Sequence, residues 1–245
     1  MLKYAAAAPV VLSLSTVIAP SASASAAIAG MTVYLDPGHN GANDASITRQ
    51  VTNGRGGMKD CQTTGTSTDS GYSEHSFNWD VVLRIRAQLS QYGVRTAMSR
   101  GNDDALGPCV DQRAAMANAL QPDAIVSIHA DGGPPDGSGF HVNYSSPPLN
   151  AAQAGPAVRF AQIMRDQLVA AGLQPSTYRG TDGLYGRADL AGLNLAQYPS
   201  ILIETGNMKN AGEAAVMEHP DGRARYAAAV VSGVAAYLQQ ARAGG

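Results

Sequence analysis

Short apolar runs, separated by helical patterns, are the feature of this chain that most constrains its fold. They occupy residues 31–35, 124–128 and 200–203. The last two are nearly continuous in apolar residues, which is typical of strands buried on both faces. Between residues 73 and 92, apolar residues recur every fourth position, which predicts an amphipathic helix. This alternation predicts a single α/β domain with a twisted, mostly parallel β-sheet flanked by helices on both faces.

Four polar residues stand where these elements begin or end. His39 lies in a turn after the first run, His129 ends the second run and Glu204 ends the third. Glu74 stands at the head of the helical pattern. Because the carboxyl ends of parallel strands open onto one edge of a sheet, where ligands bind, we expect these side chains to meet there.

Two imidazoles and one carboxylate form an open zinc site that keeps a fourth position for water. A further carboxylate beside that water is what metal-assisted hydrolysis needs, and Glu204 would supply it. The residues alone also allow simpler interpretations. His39 could be solvated in its turn, His129 could donate to a carboxylate, and Glu74 could only be stabilising a helix N-terminus.

The sequence lacks the motifs that are typical of several other classes of enzyme. The chain has no H-E-x-x-H helix motif, no G-x-S-x-G elbow and no cysteine in an obvious catalytic setting. Its formal net charge is −2, and no block of Lys or Arg suggests nucleic-acid binding.

The N-terminus has the pattern of a secretory signal. Lys3 precedes an apolar stretch over residues 5–19, and small residues follow up to Ala26. The stretch is shorter than the roughly 20 residues of a membrane-spanning helix. We expect residues 1–26 to be cleaved, although an uncleaved anchor is the alternative. The catalytic domain would span residues 30–240, with a short tail over 241–245, in the secreted, periplasmic or cell-wall space.

Cys61 and Cys109 are the two cysteines of the chain. In the oxidising compartment that the signal implies, a lone pair of cysteines usually forms a disulfide. Closing a loop of about 50 residues would contribute on the order of 4 kcal/mol in the chain-entropy model. A role as zinc ligands is the weaker alternative. Residues 42–72 are polar and glycine-rich, as expected of a functional or disordered loop.

Several segments together carry a family resemblance. They are Val33-Tyr-Leu-Asp-Pro-Gly-His39-Asn-Gly41, Glu74 opening a helix, Ser127-Ile-His129-Ala-Asp131 and Ile201-Leu-Ile-Glu204-Thr-Gly-Asn207. In order and approximate spacing they resemble the zinc-dependent N-acetylmuramoyl-L-alanine amidases of the amidase-3 type. The resemblance extends over most of residues 31–240.

The resemblance implies one Zn²⁺ on His39, Glu74 and His129, with Glu204 as the catalytic residue. It implies hydrolysis of the amide between N-acetylmuramic acid and L-alanine, with peptidoglycan or muropeptide fragments as substrate. We expect a monomer. Arg187 and Asn207 are suggested as substrate contacts, although the family usually has an aromatic or aliphatic residue where Asn207 stands.

Two alternatives from other classes remain at this point. A zinc carboxypeptidase acting on wall peptides uses similar ligands, and it would need an arginine, such as Arg179 or Arg187, to hold a terminal carboxylate. A non-catalytic peptidoglycan-binding module should have lost part of the ligand set, whereas all four positions are intact here.

Overall fold

The computed structural model describes residues 27–244, so the predicted signal over residues 1–26 lies outside the described residues. A six-stranded sheet forms the centre of the domain, and a separate two-stranded hairpin lies outside it. The strands are β1 (Thr32–Pro37), β2 (Gln50–Thr52), β3 (Met58–Asp60), β4 (Arg95–Met98), β5 (Ala124–Asp131), β6 (His141–Ser145), β7 (Leu184–Arg187) and β8 (Ser200–Asn207).

The sheet has the strand order β4-β1-β5-β8-β6-β7. Its first four strands run parallel to one another, whereas β6 is antiparallel to β8 and parallel to β7. The prediction of a mostly parallel sheet in an α/β domain is therefore confirmed. The carboxyl ends of β1, β5 and β8 lie side by side, as the predicted site requires.

Six α-helices over residues 27–244 cover the sheet. They are α1 (Glu74–Gln91), α2 (Val110–Leu120), α3 (Val158–Ala170), α4 (Ala191–Leu195), α5 (Ala211–Glu218) and α6 (Pro220–Ala243). The three long helices α1, α3 and α6 pack together against one face, while α2 and α4 lie against the other.

Alternation along the strands decides which side chains enter each layer. On β1, Val33 and Leu35 join the main core with the apolar face of α1, whereas Tyr34 joins a smaller cluster with Ala117 of α2. Successive residues of a strand point to opposite faces, so one strand supplies both cores. His129 and Glu204 alternate onto the second face, whereas Glu74 begins α1, which packs on the first face.

Several elements differ from the sequence expectation. Residues 173–197, whose mixed sequence predicts no single element, contain β7 and the five-residue helix α4. The loop over residues 42–72 contains the β2–β3 hairpin rather than remaining irregular. At the ends, Ile28 is buried in the core and α6 continues to Ala243, slightly beyond the predicted domain limits at 30 and 240.

The predicted disulfide is present. Cys61, just after β3, is joined to Cys109, the residue that precedes α2, by an S–S bond of 2.06 Å. A hydrogen bond from the Val110 amide to the Cys61 carbonyl, 2.9 Å long, lies beside it. The hairpin is thereby fixed to the start of α2. Within residues 27–244, no helix has the length and apolar character to cross a membrane.

Candidate active site

The structure brings His39, Glu74 and His129 together at the carboxyl edge of the sheet. The Nε2 atom of His39 lies 3.0 Å from Oε2 of Glu74, and Nδ1 of His129 lies 3.0 Å from Oε1 of the same carboxylate. One donor atom from each residue lies within 4.8 Å of the other two. Two imidazole nitrogens and one carboxylate are the donor set of an open zinc site, so the residues fit that ion.

Glu74 occupies the first position of α1 and is almost fully buried. Its carboxylate accepts hydrogen bonds from the backbone amides of Thr66, at 3.0 Å, and Ala130, at 3.2 Å. Burial alone would raise the pKa of Glu74, but the adjacent His39 and His129 outweigh burial and hold that pKa well below its usual range. The carboxylate is therefore ionised and fixed in place.

His39 has an acceptor at each ring nitrogen. Its Nδ1 atom lies 2.8 Å from the Thr63 carbonyl oxygen, while Nε2 faces Glu74. Burial would lower the pKa of His39, but Glu74 overrides burial and raises it. A ring between two acceptors needs a cation on its Nε2 side, either a proton or a metal ion. The Thr63 carbonyl fixes the tautomer that leaves Nε2 for the metal.

Glycines allow the ligands to approach one another. A β-carbon on Gly38 would fall 2.3 Å from ring atoms of His129. On Gly65, it would fall 2.8 Å from the ring of His39. The turn after β1 and the loop before α1 can therefore pass this close to the two histidines only where no side chain is present.

Glu204 lies beside the ligand cluster. It is the direct strand partner of His129 across the β5–β8 pair, so the two side chains share the second face of the sheet. Its Oε2 atom is buried without a hydrogen-bond partner. Burial, and then the negative charges of Glu74 and Asp131, raise the pKa of Glu204 well above its ordinary value, while Arg187 opposes them. A carboxyl with a raised pKa suits proton transfer near neutral pH.

Arg187 lies on the same face of the sheet, two strands away from Glu204. Its guanidinium is paired with Asp189, 2.5 Å away, and stands over the ring of Tyr185 at 4.8 Å. It is partly exposed, and its positive charge acts on Glu204. The structure thus places Arg187 on the side of Glu204 away from the three ligand residues.

Asn207 has a different position. It is fully buried, and its amide nitrogen donates to the carbonyl oxygens of Pro134, at 2.7 Å, and Gly137, at 2.9 Å. Its side-chain oxygen accepts from the Gly133 amide at 2.9 Å. These bonds hold the loop over residues 132–137 and leave no free group, so we do not retain Asn207 as a substrate contact.

Arg113 of α2 is a structural support that the sequence did not single out for the site. Its side chain is nearly buried and donates to Oδ1 of Asp36 and to the carbonyl oxygen of His39, both at 2.7 Å. It also donates to the side-chain oxygen of Asn40 at 2.7 Å. The turn that carries His39 is thus held by a buried cation from a helix more than seventy residues away.

A cavity of about 130 Å³ opens beside His39 and His129, between the sheet and helices α2 and α4. Its lining is largely apolar and includes Ala117 and Leu202. Leu202 precedes Glu204 by two residues on β8, so it shares the same face. The second face of the sheet is therefore accessible to a ligand beside the histidines.

Comparison with known proteins identifies the relatives of this chain. A family model described as N-acetylmuramoyl-L-alanine amidase, of the amidase-3 type, matches residues 33–236. An N-acetylmuramoyl-L-alanine amidase of Mycobacterium tuberculosis is 67% identical over 230 residues, which cover 94% of this chain and 95% of that protein.

Two crystal structures of mycobacterial N-acetylmuramyl-L-alanine amidases have the same fold. Ami1 of Mycobacterium smegmatis superposes with a TM-score of 0.87 at 68% identity, covering 87% of this chain and 99% of that one. The apo form of Ami1 from Mycobacterium abscessus superposes with a TM-score of 0.86 at 66% identity, covering 86% and 100%. Together with the family match, this likeness shows that the chain belongs to the amidase-3 family of N-acetylmuramoyl-L-alanine amidases.

Proposed function

We propose that this protein hydrolyses the amide that joins the lactyl group of N-acetylmuramic acid to L-alanine of the peptidoglycan stem peptide, with one Zn²⁺ as cofactor. The observation that carries the proposal is the clustering of three ligand atoms within 4.8 Å, with Glu204 on the strand next to His129. The family of the chain supports the same reaction.

His39, Glu74 and His129 would hold the zinc ion through Nε2, a carboxylate oxygen and Nδ1. When bound, zinc supplies Lewis-acid activation of water and stabilises negative charge that develops on the carbonyl oxygen. The ligands are pre-positioned for this role, because backbone groups of Thr63, Thr66 and Ala130 hold them.

Glu204 would transfer the proton. Its carboxylate accepts a proton from the attacking water as the oxygen–carbon bond forms. The same proton passes to the amide nitrogen as the carbon–nitrogen bond breaks, which leaves a carboxylic acid on the muramyl side and a free L-alanine amine. Its raised pKa makes Glu204 a stronger base than an exposed glutamate.

The substrate would lie on the second face of the sheet, which is accessible beside the histidines. Arg187 would contact it there, since this guanidinium is partly exposed on the same face as Glu204. We further propose action outside the cytoplasm, where the Cys61–Cys109 disulfide is stable, on peptidoglycan or its soluble fragments.

Mass spectrometry of the products tests the proposal. Purified protein would be incubated with muropeptides as isolated, after chelation, and after chelation followed by Zn²⁺. We expect free stem peptide with a new L-alanine amino terminus, absent after chelation and restored by zinc. Glu204→Gln, loaded with zinc to the same level, is the matched control and should release none.

Two other results would overturn the proposal. Stem peptides that are shortened at the carboxyl end and still attached to muramic acid would indicate a zinc carboxypeptidase. Unchanged muropeptides in the presence of fully zinc-loaded protein would indicate a binding module without activity.

A further inference from the structure

A row of three side chains crosses the sheet at the level of the proposed active site. Glu204 of β8 is the direct partner of His129 on one side and of His141 on the other. Directly opposed residues of neighbouring strands point to the same face, with their β-carbons about 5 Å apart. The imidazole of His141 therefore lies next to Glu204, on the side away from the three ligand residues.

The side chain of His141 is held in place without hydrogen bonds. It is 2% exposed, and the rings of Tyr178 and Tyr185 meet it edge-on, with centroids at 6.4 and 5.9 Å. The hydroxyl of Tyr178 is already bonded to Asp131 at 3.1 Å, so it does not serve His141. Two aromatic rings thus fix the position of the imidazole, and its Nδ1 atom is left without a hydrogen-bond partner.

Two buried polar atoms in this row have no partner. They are Nδ1 of His141 and Oε2 of Glu204, and neither makes a hydrogen bond to any residue of the described chain. Buried polar groups in folded proteins are nearly always hydrogen-bonded. An imidazole N–H donor and a carboxylate acceptor on directly opposed positions are complementary.

The charge state of His141 suits such a contact. Burial, with Arg187 and Arg179 adding to it against Asp131, lowers the pKa of His141 to about 4. The ring is thus neutral at neutral pH, and one nitrogen carries a hydrogen while the other does not. A neutral donor can orient a carboxylate without neutralising it by proton transfer.

We propose that His141 is a positioning residue for the reaction: its imidazole donates through one water molecule to Oε2 of Glu204, and so aims the other carboxylate oxygen at the attacking water. This inference rests on the proposed function of Glu204. It gives a role to His141, which is neither a proposed metal ligand nor part of the main hydrophobic core.

The contact is tested first without any measurement of activity. Long-range ¹H–¹⁵N spectra of the histidine rings would be recorded for the zinc-loaded protein and for Glu204→Ala, with His141→Phe used to assign the resonances. We expect the ring nitrogens of His141 to shift in Glu204→Ala, whereas those of the distant His219 stay unchanged. Unchanged His141 resonances would overturn the inference.

Kinetics test the positioning role. In His141→Phe, which keeps a ring but loses the donor, kcat should fall about 10–100-fold at a nearly constant KM, as is usual when a supporting partner is lost. His141→Gln restores a donor and should recover most of that loss. Zinc content should equal that of the wild type in both variants.

Asn143→Ala provides the matched control. Asn143 is buried on the same face of the same strand and also has an unpartnered oxygen, but it opposes Leu202 rather than Glu204. This variant should lower the melting temperature without changing kcat. If His141→Phe behaves like Asn143→Ala while the wild type is an active amidase, the inference is wrong and the proposed function stands. An inactive wild type would refute the proposed function, and the spectra would still report the contact.

Discussion

Gly65 lies against both His39 and Glu74 at the edge of the proposed metal centre. A β-carbon on Gly65 would fall 2.8 Å from Cδ2 of His39 and 2.9 Å from Oε2 of Glu74. The residue also has a φ of +78°, in the region that side chains disfavour. The loop before α1 can therefore reach both ligands only with glycine here, and the spacing of the site depends on this position.

Gly65→Ala should lower zinc affinity, because the added methyl group must displace His39, Glu74 or the loop. We expect a loss of at least about tenfold, as for other changes to the surroundings of metal ligands. Competition with a zinc chelator, followed by isothermal titration, would measure it. The backbone strain should also reduce the free energy of unfolding by about 1 kcal/mol.

Gly56→Ala separates the two effects. Gly56 has a φ of +80°, nearly that of Gly65, but a β-carbon there would meet no atom within 4 Å. This variant should lose similar stability and keep its zinc affinity. Equal zinc affinities for the two variants would mean that the close approach of Gly65 does not matter.

Reduction of the disulfide should weaken the metal centre as well as the fold. Cys61 lies two residues before Thr63, whose carbonyl oxygen holds Nδ1 of His39. The Cys61→Ser/Cys109→Ser variant releases a loop of 48 residues, and we expect a loss of about 3–4 kcal/mol in the free energy of unfolding. Zinc affinity should fall with it, because His39 loses a fixed partner.

Urea denaturation and zinc titration of this variant would be compared with Thr64→Ala. That substitution removes only an exposed hydroxyl and keeps both the Thr63 carbonyl and the disulfide, so its zinc affinity should remain near that of the wild type. If the Cys61→Ser/Cys109→Ser variant binds zinc as tightly as the wild type, the β2–β3 hairpin positions the Thr63 carbonyl without help from the disulfide.

The ion pair of Asp36 and Arg113 should be strongly coupled. Burial would raise the pKa of Asp36, but Arg113, Ser127 and Ser99 outweigh it and lower that pKa to about 2. Losing one partner of a buried pair leaves an uncompensated charge, which costs about 3–5 kcal/mol. Arg113→Met and Asp36→Asn should each have this effect, and the double variant should lose much less than their sum.

The pH dependence of this pair has a defined sign. Because the folded-state pKa of Asp36 is below its unfolded value, the pair stabilises the fold above about pH 4. That contribution, about 2 kcal/mol, should disappear as the pH falls towards 2. Denaturation curves at several pH values would measure it. Arg165→Met, which breaks an exposed pair with Asp166, should change stability by less than about 1 kcal/mol.

The positions of His39, Glu74, His129 and Glu204 could be predicted because local sequence determines them. Each follows an apolar strand or begins an amphipathic helix, and parallel strands bring their ends to one edge. The contribution of Arg113 could not be predicted in this way, since nothing near it in the sequence indicates that it reaches back to the turn of His39.

The same limit applies to β6. Its apolar and polar alternation predicts a strand, but only the sheet order shows that it lies antiparallel beside β8 and places His141 next to Glu204. Asn207 is a polar residue close to Glu204 in sequence, but in the fold its side chain holds the loop over residues 132–137 instead of facing the site. Sequence neighbours of a catalytic residue alternate between faces, so proximity along the chain is a weak guide.

Glu204→Gln should abolish turnover and stabilise the zinc-free protein. Loss of the proton acceptor should lower kcat by about 10²–10⁴-fold, while the zinc content stays unchanged. His39→Ala, in contrast, should lose zinc itself. Metal analysis by mass spectrometry together with turnover of muropeptides would distinguish these two effects.

The stability difference follows from the raised pKa of Glu204 in the fold. Since folding favours the protonated form, its stabilising contribution is present below the unfolded pKa of about 4.3 and is lost as the pH rises through the folded-state pKa. Glutamine cannot ionise, so Glu204→Gln avoids that loss. As the pH rises above about 4, the chelated variant should become progressively more stable than the chelated wild type. The difference should vanish below about pH 4. Equal stabilities across this range in urea would mean that Glu204 is solvated and that its carboxylate is an ordinary base.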